Sequence, residues 1–327
     1  MNIVDLRKTD ADWQNDILAR YPFQPYWWVR QVTRQSQQNL MRRQLEKIAA
    51  DETAVVLGAY NHQPELAGFA AMAPLAWDTE HFGLNVWRVS HLGVWAKPQQ
   101  RETACALAQK LIREARQREA ATLHIWASLN DINAIHALEE VGFRTMEAQV
   151  FWLFDLQRQP IPEQITTATF RPHQAADVET LVALARQVYT PIPNRFHADP
   201  HLPKAACDEL YAKWLRNSCS GEVADYISVI EVDGKVVGYG TLRFLDDQDG
   251  LCNVRMGQFM LGAIDPAFRQ KGLHDDLLRS MLVWLKEQQT DVAFVGTQTN
   301  NAAAQSGMAR MGWRPVSGGL SLHVWLA

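Results

Sequence analysis

Apolar and polar positions along the chain fall into two kinds of short run, and the same order of runs occurs twice. Residues 104–118, ACALAQKLIREARQR, and 275–289, DDLLRSMLVWLKEQQ, space their apolar residues as amphipathic helices do. Each precedes a short apolar run, LHIWA at 123–127 and AFVGT at 293–297, that reads as a buried strand. These two runs lie 170 positions apart. At the same offset Asn130-Asp131 meets Asn300-Asn301, and Gly142-Phe143-Arg144 meets Gly312-Trp313-Arg314. Leu92-Gly93-Val94 meets Leu261-Gly262-Ala263 at 169, and Pro98 and Arg101 meet Pro266 and Arg269 at 168. An ordered series of matches with small drifts marks a duplicated unit. Each half reads strand, Pro-containing loop, helix, strand, Asn-bearing turn, short helix, Gly-aromatic pair, strand.

The remaining pattern places the halves. A helical segment runs through Ala50, with strands near 54–59 and 66–72. Residues 157–172, QRQPIPEQITTATFRP, are rich in Pro and Thr without helical periodicity, as in a linker. The second half opens at Phe170 with a helix over 175–188, then a hairpin in YISVIEVDGKVVGYGTLRF around Asp233-Gly234. The expected division is 1–156, a linker 157–169, and 170–327. Strands alternating with helices predict an α/β fold with a mixed sheet. A length of 327 residues suits two lobes, each large enough to bury a core without staples.

Composition narrows the partners. A formal net charge of −4 argues against a general nucleic-acid binder, but allows a local basic pocket for a phosphorylated small molecule. The four cysteines (Cys105, Cys207, Cys219, Cys252) form no CxxC and no zinc-spaced cluster, so no metal is expected. No apolar run reaches membrane-spanning length, and the polar first residues carry no signal segment, so a cytoplasmic enzyme is expected. Asp246, Asp247 and Asp249 read as a solvated turn.

The sharpest chemical motif runs from Gly262 to His274. An apolar strand (Gly262, Ala263, Ile264) leads through a Pro loop into Arg269-Gln270-Lys271-Gly272-Leu273-His274 at a helix start. A helix N-terminus offers unpaired N–H groups, a glycine lets an anion approach the backbone, and Arg269 and Lys271 add charge. Together they make a pyrophosphate cradle. In the first half Ala104 stands where the second has Gly272, and Glu102 adds repulsion, so only the second lobe is expected to bind through this loop.

This loop resembles the [RQ]-x-x-G-x-[GA] acyl-CoA loop of the GNAT N-acetyltransferase superfamily, with Arg269 and Gly272 matching and His274 in place of the final small residue. VGTQTNNAAAQSGMARMGW resembles the strand and Asn-turn block that follows, through Asn301, Ala304, Gly312 and Trp313. Trp77-Asp78 with Phe82-Gly83, the NRFHADP segment, the ELYAKWLRNS helix and the closing LHVWL resemble the group that acetylates TDP-4-amino-4,6-dideoxygalactose. The resemblance implies a tandem GNAT-like fold with a degenerate first lobe, acetyl-CoA as donor, and an amino-sugar nucleotide as acceptor. It implies cofactor contacts at Gly262, Ala263, Ile264, residues 269–274, Asn301 and Met308.

Met308 stands where many members place a tyrosine that protonates the thiolate, and methionine has no proton to give. Backbone N–H groups of 261–264 are left to stabilise the carbonyl. His274 is read as a cap or cofactor contact before a catalytic group, and His323 as a core histidine before a catalytic one. Arg195 and His197 are candidate acceptor contacts, as are Trp77 and Phe82, for which core packing is the blander role. The alternatives are the same chemistry on an aminoglycoside, amino acid or protein N-terminus, or a non-catalytic acyl-CoA-binding module.

Overall fold

A computed structural model describes residues 2–9, 12–61, 65–95, 99–190, 194–245 and 250–326. Pro98 and the Asp246, Asp247, Asp249 turn lie outside the described residues. The chain divides into two compact units: Met1–Ala148 with Leu251–Asn253 and Gly318–Ala327, and Gln149–Gly250 with Val254–Ser317.

Unit 1 contains β1 (Asn2–Asp5), β2 (Val55–Tyr60), β3 (Leu66–Pro74), β4 (Val86–Val94) and β5 (Thr122–Ser128). Strands β1 to β4 pair antiparallel in chain order, and β4 pairs parallel with β5. The far side of β5 pairs antiparallel with residues 319–325 of the chain's closing strand, Arg314–Trp325. Helices α1 (Trp13–Arg20) and α2 (Arg34–Ala50) cover one face, packing Ile17, Met41 and Leu45 on Val56 and Phe69. Helix α3 (Ala76–Phe82) links β3 to β4. Helices α4 (Gln100–Gln117) and α5 (Ile132–Glu140) cover the other face, with Leu107, Leu111 and Leu138 against Leu57, Met72 and Leu123. The four-residue β1 is new: it pairs along Leu57–Tyr60 in a stretch the polar pattern had merged into a helical segment.

Unit 2 repeats the plan. Strand β6 (Arg144–Asp155) contributes residues 149–155, beside β7 (Thr169–Pro172), β8 (Tyr226–Val232), β9 (Lys235–Phe244), β10 (Met256–Ile264) and β11 (Val292–Gln298). Strands β7 to β10 pair antiparallel in order, β10 pairs parallel with β11, and β11 pairs antiparallel with β6. The β8–β9 hairpin turns through Asp233 and Gly234 with φ of 51° and 73°, as a type I′ turn requires. Helices α6 (Val178–Tyr189) and α7 (Lys204–Cys219) cover one face, packing Leu181 and Leu215 on Val229 and Tyr239. Helices α8 (Leu273–Glu287) and α9 (Ala302–Arg310) cover the other, with Leu277, Met281 and Met308 against Phe154, Phe259 and Val295.

Pairing draws the unit boundary elsewhere than 156 and 170. In each unit the sixth strand comes from the other half of the sequence: β6 completes unit 2, and the closing strand completes unit 1. Hydrogen bonding to β5 and β11 decides this, and adjacency along the chain does not reveal it. No helix among the described residues is long and apolar enough to cross a membrane.

Phe154 on β6 is fully buried in the unit 2 core. Truncation there removes a large ring the surroundings cannot replace, so Phe154→Ala should cost about 3–5 kcal/mol in denaturant unfolding.

Candidate active site

The site begins where two parallel strands part. β10 and β11 pair only from Met256↔Val292 to Phe259↔Val295, yet β10 runs on to Ile264 and β11 to Gln298. An irregularity against β9 between Phe259 and Gly262 bends β10 at the same place. The edge so exposed carries backbone groups with no ladder partner. At Gly262 both are met by one side chain: the Tyr189 hydroxyl accepts the Gly262 N–H at 3.0 Å and donates to the Gly262 C=O at 2.8 Å. Burial pushes the Tyr189 hydroxyl up to about 12, against the opposing effect of its bond to Gly262. Its ring stacks on Tyr211 of α7, with centroids 4.3 Å apart.

Beyond β10 the chain makes a tight turn at Pro266–Phe268, capped by the Asp265 carboxylate on the Ala267 N–H. Arg269 folds back so that Nε donates to the Ile264 C=O at 3.3 Å, and Lys271 Nζ lies 4.9 Å from the Phe268 ring centre. Gln270 and Gly272 both adopt positive φ, 62° and 80°. These two left-handed residues delay the helix until Leu273. Among the described residues, no protein acceptor meets the N–H groups of 270–274. Five consecutive free amides at a helix start form an anion-binding concavity.

The acidic residues that open α8 face away from it. Asp276, 1% exposed, accepts the N–H groups of Ile165 and Thr166 at 2.9 and 2.8 Å, tying the segment before β7 onto the helix. Asp275 accepts from Nε and Nη2 of Arg310 on α9 through its two carboxylate oxygens, at 2.9 and 3.0 Å. His274 lies against α9 where Gly307 lacks a side chain; a Cβ there would come 2.6 Å from the imidazole Nδ1. Burial lowers the His274 pKa and the Arg310 charge adds to that, while Asp275 opposes it.

The other sequence candidates are placed as follows. Ala263 is buried, and Met308 is 3% exposed in the core, behind the loop rather than on it. Asn301 caps α9, accepting the Ala304 N–H at 3.2 Å and donating to Thr297 Oγ1 at 3.1 Å. Arg195 lies 4.5 Å over its neighbour Phe196, and His197 Nε2 is 3.0 Å from Asp208 on α7. His323 sits in unit 1, buried on the closing strand and stacked on His124 at 3.6 Å. Trp77 and Phe82 are also in unit 1, on α3, where Trp77 stacks on His81 and Phe82 is buried. The loop, Gly262, Asn301, Arg195 and His197 therefore share unit 2, and His323, Trp77 and Phe82 do not.

Tyr189, Asp276 and Asp208 were not among the candidates. Tyr189 had a signal: Tyr21 precedes it by 168 residues, within the range of the repeat.

In unit 1 the equivalent strands also part, pairing only from Val86↔Thr122 to Val89↔Ile125. A cavity of about 130 Å³ remains there, lined in part by Leu92, Gly93, Gln100 and Asn133. The described residues differ, however, because α4 already starts at Gln100. Thr103 bonds to the Gln99 C=O through N–H and Oγ1, at 3.1 and 2.6 Å, and Arg101 is paired with Glu140. Gln100 donates to the Val94 C=O and accepts from Asn133, filling part of the cleft with the protein's own groups.

Comparison with known proteins agrees with this geometry. The acetyltransferase (GNAT) family model matches residues 190–313. The spore coat polysaccharide biosynthesis protein SpsD of Bacillus subtilis (strain 168) is 26% identical over 200 residues, which are 60% of this chain and 63% of SpsD. The chain thus matches under two thirds of that relative's length. A tandem GNAT protein of the clavulanic acid biosynthesis pathway shares the fold over 100% of this chain and 98% of its own, with TM-score 0.57 and 14% identity. A GNAT-related glucosamine N-acetyltransferase region of a fungal multi-domain β-N-acetylglucosaminidase covers 99% of this chain and 38% of its own, with TM-score 0.64 and 14% identity. The fold is therefore that of tandem GNAT proteins, with the family match falling on residues 190–313.

Because Asp275 favours the imidazolium and burial disfavours it, His274 should titrate below its ordinary value. Asp275→Asn should lower it further, as followed by the His274 ring-proton shifts in NMR.

Proposed function

We propose, from the match of residues 190–313 to the GNAT acetyltransferase family, that the protein takes acetyl-CoA at the unit 2 loop and acetylates the amine of a small acceptor, an amino-sugar nucleotide. The observation that carries the donor assignment is the run of free amides at 270–274 next to the parted edge of β10. The amides suit a pyrophosphate, with Arg269 and Lys271 exposed beside them. The strand edge suits an extended amide-bearing arm, which bonds to free backbone groups as another strand would.

Acetyl-CoA supplies an activated acyl carbon and a thiolate leaving group. The chain supplies the Gly262 N–H, positioned to donate to the oxygen that gains charge as an amine attacks. The attacking amine must arrive unprotonated. Met308 is buried and carries no proton, so the thiolate leaves without an acid at that position. Arg195 and His197, in the same unit, are the acceptor contacts of this reading; an arginine fits a nucleotide phosphate. The acceptor class draws on the polysaccharide biosynthesis role in the name of SpsD and the glucosamine acetylation named for the fungal region. A cytoplasmic setting, where acetyl-CoA and nucleotide sugars are found, belongs to the same reading.

Thiol release from acetyl-CoA over a panel of amino-sugar nucleotides, aminoglycosides and amino acids tests the acceptor, with turnover expected for the first group. Gly272→Asp places a carboxylate in the cradle and should weaken CoA at least about tenfold, about 1.4 kcal/mol, by calorimetry. Arg101→Ala, at the matching loop of unit 1, should leave CoA affinity unchanged. Equal affinity for the wild type and Gly272→Asp would remove the loop from the donor site.

A further inference from the structure

We propose that Tyr189 is a catalytic residue whose hydroxyl holds the place of the acyl oxygen in the free protein and, once the donor is bound, becomes a second hydrogen-bond donor to that oxygen. The inference rests on the acetyl-CoA reading above. Its basis is the double contact at Gly262, where one hydroxyl takes the N–H at 3.0 Å and gives to the C=O at 2.8 Å. An acyl oxygen bonded to the Gly262 N–H at ordinary distance must occupy the hydroxyl's present place. The hydroxyl then has to move by about one hydrogen-bond length, which leaves it beside the incoming oxygen with its own proton still available. One backbone donor becomes two, and no bond to Tyr189 is made or broken.

Three features suit the side chain to this role. Its ring is held on Tyr211, itself stacked on Trp214, so a small swing of the hydroxyl need not unpack the ring. Burial keeps the hydroxyl protonated at any working pH, which a donor requires. It also lies at the end of α6, beyond the last buried residue Val188, and is itself only partly buried.

Unit 1 supplies the internal contrast. Tyr21 follows α1 as Tyr189 ends α6, and its ring lies against Gly93. Tyr21 is buried, with its ring against Phe69, His91 and Trp95. In unit 2 the hydroxyl contact satisfies a bent strand edge. That edge lies next to the free amides of 270–274.

Tyr189→Phe keeps the stacked ring and removes the hydroxyl. Calorimetry with acetyl-CoA comes first: no binding to the wild type overturns the donor reading itself, before any variant is made. With binding established, isotope-edited infrared spectra of bound acetyl-CoA, labelled with carbon-13 at the acyl carbon, should show the carbonyl stretch moving to higher frequency in Tyr189→Phe. Turnover with hydroxylamine as the amine probe should fall about 100-fold in kcat with KM for acetyl-CoA unchanged or lower. Tyr21→Phe should move neither readout. An unchanged carbonyl frequency in Tyr189→Phe, whatever happens to its melting temperature, overturns the proposal and leaves Tyr189 a structural group.

Discussion

Everything at the site depends on two parallel strands that stop pairing halfway along. A strand edge that leaves its neighbour inside a protein exposes donors and acceptors, and each one left unmet costs about 1–3 kcal/mol. Unit 2 answers this at Gly262 with one hydroxyl. The bend in β10 and the side chain that meets it are thus one device. The amide run at 270–274 extends the same condition past the strand end, where positive φ at Gln270 and Gly272 holds the chain out of the helix.

The two units show how little separates a competent loop from a silent one. Their strands, helices and parting point correspond almost element for element. In unit 2 three residues stay out of the helix and their amides remain free. In unit 1 the helix begins at Gln100 and the Thr103 N–H is already bonded to Gln99, while Gln100 donates to the Val94 carbonyl and accepts from Asn133. A glycine at 272 and an alanine at 104 account for this, since only glycine adopts φ near 80° without strain. The acids at 275 and 276 look hostile to an anion on paper. Folded, they are spent on Arg310 and on the segment at 165–166.

Local signals were legible where chemistry is local. The Asp233-Gly234 turn, the helices before β5 and β11, and the Arg269–Gly272 loop all follow from residue types at fixed spacing. The repeat was legible because its offsets stay within a few residues over half the chain. Contacts between distant segments were not, because nothing in the residues around Tyr189 points to Gly262, 73 positions away. His323 and Trp77 illustrate the same limit. Each sits in a stretch that looks functional, yet strand pairing or a neighbouring ring accounts for it within unit 1.

The sixth strand of each unit has a further consequence. β6 and the closing strand are repeat equivalents, so each could in principle lie where the other does, and the chain must sort them. The observed arrangement sets His323 opposite His124 and Leu153 opposite Phe294. The unexchanged alternative, shifted by 170 residues, would set Leu153 on His124 and His323 on Phe294. Like is sorted with like: two imidazoles share one slot and two apolar side chains the other. The paired histidines thus distinguish two otherwise similar slots, since only the observed pairing sets imidazole against imidazole.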